Sequence, residues 1–144
     1  MIVVDAVKQT IVDQAERTYP DECCGALLGT ESDKGERMIV RAVPIVNTFE
    51  DDEKYHRFQI TADDVLRVEH SARQSGLELI GFYHSHPDHP AIPSDYDRDH
   101  AWPFYSYIVL AVEAGKAQAF RAWSLKADRS AFEEETFSLV ANNG

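Results

Sequence analysis

Two rhythms of apolar residues run through the chain. Val7, Ile11, Val12, Ala15 and Tyr19 recur at helical spacing and predict a helix over residues 6–19, with Asp5 as its N-cap and Pro20 ending it. Thr61, with Asp64 three positions on, opens a second helix over 62–75, and Gly76 closes it. A short helix is expected over 94–101. Between these lie runs rich in Val, Ile and Leu, bounded by Gly, Pro and polar clusters, that read as strands at 2–4, 23–29, 38–46, 57–60 and 77–83. Residues 106–112 and 117–125 flank Gly115 as a hairpin, and a last strand is expected over 131–140. Residues 47–55 form a polar loop. Strands interleaved with two sizeable helices predict a mixed α/β or α+β domain, without repeats or linkers.

The length of 144 residues suits a single domain over 1–144, and a hydrophobic fraction of 44% can fill a core. Lys and Arg number 14 against 25 acidic residues, a net charge of −11. Such a surface repels phosphate backbones, so nucleic acid is excluded as a partner, whereas a basic protein is tolerated. No apolar run can span a bilayer and the N-terminus lacks a basic region followed by an apolar stretch; a soluble, cytoplasmic protein without membrane partners is expected. Cys23 and Cys24 are adjacent, with no C-x-x-C chelate spacing. A buried, reduced pair is the plain expectation, and a thiol near an active site the sharper one.

The densest chemistry lies in His84-Ser-His86-Pro87, at the end of the strand over 77–83. Imidazoles at i and i+2 on a strand share a face. Pro87 keeps His86 extended. Asp97 follows eleven positions later across three prolines, which stiffen the connection. Two imidazoles, one carboxylate and a water form the set of a catalytic zinc, yet each histidine could equally be an ordinary hydrogen-bonded residue. Ser94-x-x-Asp97 also reads as a helix-start capping box, a role compatible with ligation because i and i+3 share a helix face. Ser94 could donate to an oxyanion. An open zinc site needs a proton shuttle, and composition does not choose among the acids; Glu22, opening an apolar strand, is a candidate beside its reading as an ordinary surface acid.

Glu22 followed by His84-x-His86, seven residues and Ser94-x-x-Asp97 resembles the JAMM (MPN+) metallopeptidases. Tyr19-Pro-Asp-Glu-Cys-Cys-Gly-Ala-Leu-Leu-Gly29 is similar to the opening of their compact prokaryotic members, and Gly81-Phe-Tyr-His-Ser-His-Pro87 to their metal-site strand. The resemblance covers nearly the whole chain. It implies an MPN/JAB-like domain with a curved, mostly antiparallel sheet flanked by helices. It implies Zn2+ on His84, His86 and Asp97, Glu22 as general base and acid toward a zinc-activated water, and Ser94 as oxyanion stabiliser. The implied reaction is hydrolysis of an isopeptide or peptide bond after the C-terminal Gly-Gly of a ubiquitin-like or sulfur-carrier protein, including release of cysteine from a carrier. The chain is too short for the insertions with which large deubiquitinases grip ubiquitin, which favours a small carrier. A metal-free, MPN-type protein-binding scaffold is the alternative, although such members lack part of the ligand set. Nucleobase deaminase and H-E-x-x-H patterns are absent. Asn47, beside the acidic loop, is a candidate for positioning a substrate tail. His89 and His100 are expected at the surface, and Trp102, Phe104, Tyr105 and Tyr107 in the core.

Overall fold

The computed structural model describes residues 1–55 and 57–141. Among these residues, eight strands form one sheet: β1 (Ile2–Val4), β2 (Cys24–Glu31), β3 (Arg37–Ile45), β4 (Glu78–Pro87), β5 (Ser106–Glu113), β6 (Lys116–Leu125), β7 (Phe132–Glu135) and β8 (Ser138–Val140). Their order is β7-β6-β5-β4-β2-β3-β1-β8. The pairs β2–β3, β2–β4, β5–β6 and β6–β7 are antiparallel, while β4–β5, β1–β3 and β1–β8 are parallel. Three α-helices of the described residues accompany them, α1 (Asp5–Thr18), α2 (Ala62–Gln74) and α3 (Asp95–His100), with one 3-10 turn at Asp51–Glu53.

The sheet must curl. β7 and β8 occupy its opposite edges, yet only Thr136 and Phe137 separate them in the chain. Three residue steps reach about 11 Å, whereas seven flat inter-strand spacings would span roughly 34 Å. Side chains close the same gap: Arg37 of β3 donates to the Ser106 hydroxyl of β5 at 2.9 Å, and that hydroxyl donates to Glu135 of β7 at 2.9 Å.

Each face of the sheet has its own core. Val7, Ile11 and Ala15 of α1 pack with Cys23, Leu27, Tyr83, Ile108 and Leu110 on one side. Val68 of α2 packs with Cys24, Ala26, Phe82, Val109 and Trp123 on the other. The adjacent cysteines therefore enter different cores. Both are free and buried, and burial pushes the Cys23 thiol up to about 11.

Several expected elements differ. Asp5 is not an N-cap: β1 runs directly into α1, Val4 takes the cap position without a side-chain bond, and Asp5 sits in the first turn. Its carboxylate still suits the positive end of the helix dipole. Residues 57–60 are not a strand, because the Arg57 carbonyl and Gln59 N–H bond to the Asn47 side chain instead of a neighbouring strand. The last strand is two, split at Thr136 by the jump between edges. The α2 start is as expected, with a full capping box between Thr61 and Asp64. The hairpin turns through Ala114 and Gly115, both at positive φ, the geometry that suits right-twisted strands.

Gly81 lies where β4 meets β5, and a Cβ there would stand 1.7 Å from the Ser106 carbonyl oxygen. Backbone cannot yield as a flexible side chain would, so Gly81→Ala is expected to cost about 3 kcal/mol, the upper end for overpacking. A lowered urea midpoint at unchanged slope measures it.

Candidate active site

The site grows from the C-terminal half of β4. His84 pairs with Cys24 of β2 on one side and Val109 of β5 on the other, and His86 pairs with Ala111. Ser85, between them, faces the opposite side, where its hydroxyl accepts the Cys23 N–H at 2.8 Å. Beyond the strand, Asp88 adopts a left-handed turn (φ 58°). Asp88 accepts the Tyr19 hydroxyl at 2.6 Å and the Ala114 N–H at 2.9 Å, tying the segment before Glu22 to the end of β4 and to the hairpin. Trp123 anchors the same loop by donating to the Ala91 carbonyl at 3.1 Å.

His84, His86 and Asp97 converge. The three ligand atoms form a triangle with His84 Nε2 to His86 Nε2 at 3.1 Å, His84 Nε2 to Asp97 Oδ2 at 3.0 Å and His86 Nε2 to Asp97 Oδ2 at 3.1 Å. All three residues are buried. A tetrahedral zinc with bonds near 2.0–2.1 Å separates its ligand atoms by about 3.3 Å. The triangle is within a few tenths of that, and two imidazoles plus a carboxylate leave one vertex open. The His86 Nδ1 lies 2.9 Å from the Pro90 carbonyl, which can only accept. Nδ1 therefore carries a proton, and Nε2 is the nitrogen that faces the triangle. Phe58 stacks on the His84 ring at 4.6 Å.

Ser94 and Asp97 form the capping box of α3: Ser94 Oγ accepts the Asp97 N–H at 3.1 Å, and the Ser94 N–H donates to Asp97 Oδ2 at 2.8 Å. One carboxylate thus makes the capping box and lies within reach of both imidazoles. The capping bond uses Ser94 oxygen as acceptor and leaves its O–H to donate elsewhere. Burial disfavours the charged form of Asp97, but His84 and then His86 overcome this and hold its carboxyl well below the usual carboxylate range.

Glu22 is only 5% exposed, and its Oε1 is buried without a hydrogen-bond partner. Burial, reinforced by the Asp97 charge and opposed by Arg57, pushes its carboxyl up to about 9. An orphaned carboxylate oxygen beside a triangle of lone pairs is the electrostatics of a cation site. Glu22, Arg57, His86 and Ser94 line one cleft of about 300 Å³. His84 and Asp97 border a second cavity of about 410 Å³ walled by Phe49, Phe58, Phe82, Tyr96 and Trp102.

The remaining candidates fall out differently. Asn47 presents no free amide to that cavity: its Nδ2 donates to the Glu22 and Arg57 carbonyls at 3.1 and 2.9 Å, and its Oδ1 accepts from Phe49 and Gln59 N–H. It braces the loop. His89 and His100 are exposed, as expected, and His100 stacks on Tyr96 at 4.0 Å. Tyr107 is buried, but Trp102 borders the cavity half-exposed and Phe104 is 84% exposed, so the aromatic cluster is only partly core. Sequence reasoning passed over Arg57, Phe58 and the Pro90 carbonyl, because nothing in their spacing marks an irregular loop as a wall of the site.

Two outcomes follow from this electrostatics. Zinc at a hundredfold excess over its Kd should stabilise the protein by about 2.7 kcal/mol, with one ion per chain by metal analysis, and Asp97→Ala should abolish most of that rise in Tm. In chelated protein Glu22 holds its proton more tightly folded than unfolded. Its contribution to stability is complete below its ordinary 4.5 and is lost as the pH climbs toward about 9. Asp97, with its lowered value, contributes steadily above its ordinary 3.8. Urea midpoints should therefore fall across that window, and Glu22→Gln should flatten the slope.

A family model described as prokaryotic homologs of the JAB domain matches residues 4–126, a span that includes every residue of the triangle together with Glu22 and Ser94. A desampylase of Haloferax volcanii is 31% identical over 93 residues, covering 64% of this chain and 63% of that protein; the match spans less than two thirds of that relative's length. The solution structure of a Salinibacter ruber protein is 34% identical, covers 97% of this chain and 92% of its own, and superposes with a TM-score of 0.76. A JAB1/MPN domain protein of Archaeoglobus fulgidus shares the fold at 18% identity, with a TM-score of 0.61 over 97% of this chain and 99% of that one. With the triangle, the curled sheet and a match over residues 4–126 in agreement, this chain belongs to the JAB/MPN family, among its prokaryotic JAB-domain members.

Proposed function

We propose that the protein is a zinc-dependent hydrolase that cuts the amide bond, peptide or isopeptide, following the C-terminal Gly-Gly of a ubiquitin-like or sulfur-carrier protein. The observation that carries this reading is the buried triangle of two imidazole nitrogens and one carboxylate oxygen, 3.0–3.1 Å on each side, beside the unpartnered Oε1 of Glu22. Similarity to a desampylase supports the ubiquitin-like class of substrate.

His84, His86 and Asp97 would hold the ion, which when bound supplies a Lewis acid that acidifies water and polarises a carbonyl. The Pro90 carbonyl keeps His86 in the tautomer that ligation needs. Glu22, whose proton affinity is raised by burial, accepts a proton from water and delivers it to the leaving nitrogen. The water oxygen bonds to the carbonyl carbon, the C–N bond breaks, and the water's proton ends on the amine. Ser94 donates its O–H to the oxyanion that forms between. The aromatic cavity beside His84 and Asp97 receives the carrier tail, and two glycines allow the extended backbone to approach the triangle without side-chain obstruction.

Incubation of carrier adducts with and without chelator, read by mass, tests the reading; cleavage that survives removal of all metal would sink it. Glu22→Gln should retain zinc while losing about 10²–10⁴ in kcat, and Ser94→Ala about 10²–10³. Phe49→Ala and Trp102→Ala, which open the cavity wall, should raise KM more than they lower kcat.

A further inference from the structure

Residues 101–105 connect α3 to β5, and the connection is pinned at two points. The Tyr107 hydroxyl accepts the Trp102 N–H at 2.7 Å and donates to the Trp102 carbonyl at 3.3 Å. Arg37, reaching across from β3, donates to the Phe104 carbonyl. Between these anchors Phe104 sits at φ 83°, a left-handed conformation that a bulky side chain adopts only under strain. Burial does not offset that strain, because the ring is 84% exposed. Glycine or asparagine would take the same backbone more readily. Trp102, two positions earlier, is half-exposed. The turn thus holds two aromatic side chains outward on a fixed backbone, where they add little to the fold and their value lies in contact with a partner.

We propose that Trp102 and Phe104 form a docking knob for the folded body of the carrier protein, distinct from the cavity that receives its tail. The identity of the partner rests on the hydrolase reading above. Trp102 belongs to both surfaces, since it also walls the cavity beside His84 and Asp97. A tail seated in that cavity tethers its own body beside Trp102, and Phe104 follows within roughly 8 Å of backbone. Charge favours the same partner. Phe104 also walls a second cleft of about 300 Å³, with Glu31, Glu36 and Glu135 around the Arg37 guanidinium. The complementary surface is an apolar spot bordered by lysine or arginine. A second copy of this chain, at a net charge of −11, fits it poorly.

The test uses zinc-loaded full-length protein and two substrates made from one ubiquitin-like carrier ending in Gly-Gly. One is the folded carrier and the other its last six residues alone, each joined through the final glycine to the same fluorescent amide. Wild-type protein should cleave the folded carrier with a kcat/KM about tenfold or more above that of the peptide, the difference residing in KM. Phe104→Gly and Phe104→Asn should bring that ratio to within about twofold of one, with a Tm no lower than that of wild type. Glu36→Lys should lower the ratio about threefold. Calorimetry with the carrier lacking its last six residues separates the surface from the chemistry: this tailless carrier should titrate onto wild-type protein and not onto Phe104→Gly. A wild-type ratio near one overturns the proposal. So does an equal loss on carrier and peptide in Phe104→Gly, which would make the turn a buttress of the cavity; either result leaves the hydrolase standing. A dimer, seen by light scattering and lost in Phe104→Gly, would assign the knob to a second copy and overturn the proposal. Failure to cleave either substrate with zinc bound overturns the hydrolase reading. In that event, tailless carrier that binds wild type and not Phe104→Gly upholds the knob, and absence of binding overturns it as well. Should one Phe104 variant not fold, the other decides together with the wild-type ratio.

Discussion

Strand β4 pairs antiparallel with β2 as far as His84, with the Ser85 N–H reaching the Cys23 carbonyl, and parallel with β5 through Pro87, and the two imidazoles ride on that backbone. Because a strand alternates its faces, the continuous β5 ladder keeps His84 and His86 on one side of the sheet. Everything else about the site is arranged around that fixed pair. The loop after Pro87 is held at Asp88 by Tyr19 and Ala114, and at Ala91 by Trp123, so the Pro90 carbonyl meets His86 Nδ1 and α3 begins where Asp97 reaches both rings. Core packing on both faces of the sheet keeps β4 in its register.

The electrostatics of this arrangement suit a cation. Two carboxylates, Glu22 and Asp97, are buried within each other's field, in a chain already rich in negative charge. Removing charge from water is expensive unless it is paired and hydrogen-bonded. Asp97 is compensated by the imidazoles and the α3 backbone. Glu22 is compensated less, with Arg57 acting on it in the opposite sense to burial and one oxygen unpartnered. Burial of this kind raises the proton affinity of Glu22 instead of stabilising its charge.

The residues 46–49 and 57–60, outside any helix or strand, contribute as much as the regular elements. Asn47 satisfies backbone groups of residues 22, 49, 57 and 59, replacing the ladder that a strand would have provided. The consequence is that Phe58 stacks on a ligand imidazole and Arg57 stands over Tyr96. A polar side chain in a loop thereby sets the shape of two clefts.

Local rules were legible in the sequence wherever one residue and its near neighbours decide the outcome. The capping boxes at Thr61 and Ser94, the same-face pair at His84 and His86, the turn at Gly115 and the strand runs at 23–29 and 77–83 depend on spacing alone, and the structure contains each. Where long-range pairing decides, the sequence was silent or misleading. Residues 57–60 have strand-like composition, but their backbone partners lie on Asn47. Residues 131–140 read as one strand, yet the sheet's closure places its two halves on opposite edges. The same distinction governs the chemistry. Residue types and spacing pick out the His84, His86 and Asp97 set that the fold brings together, whereas the burial of Glu22, the tautomer of His86 and the position of Arg57 arise only when distant segments meet, because dielectric surroundings and hydrogen-bond partners are properties of packing.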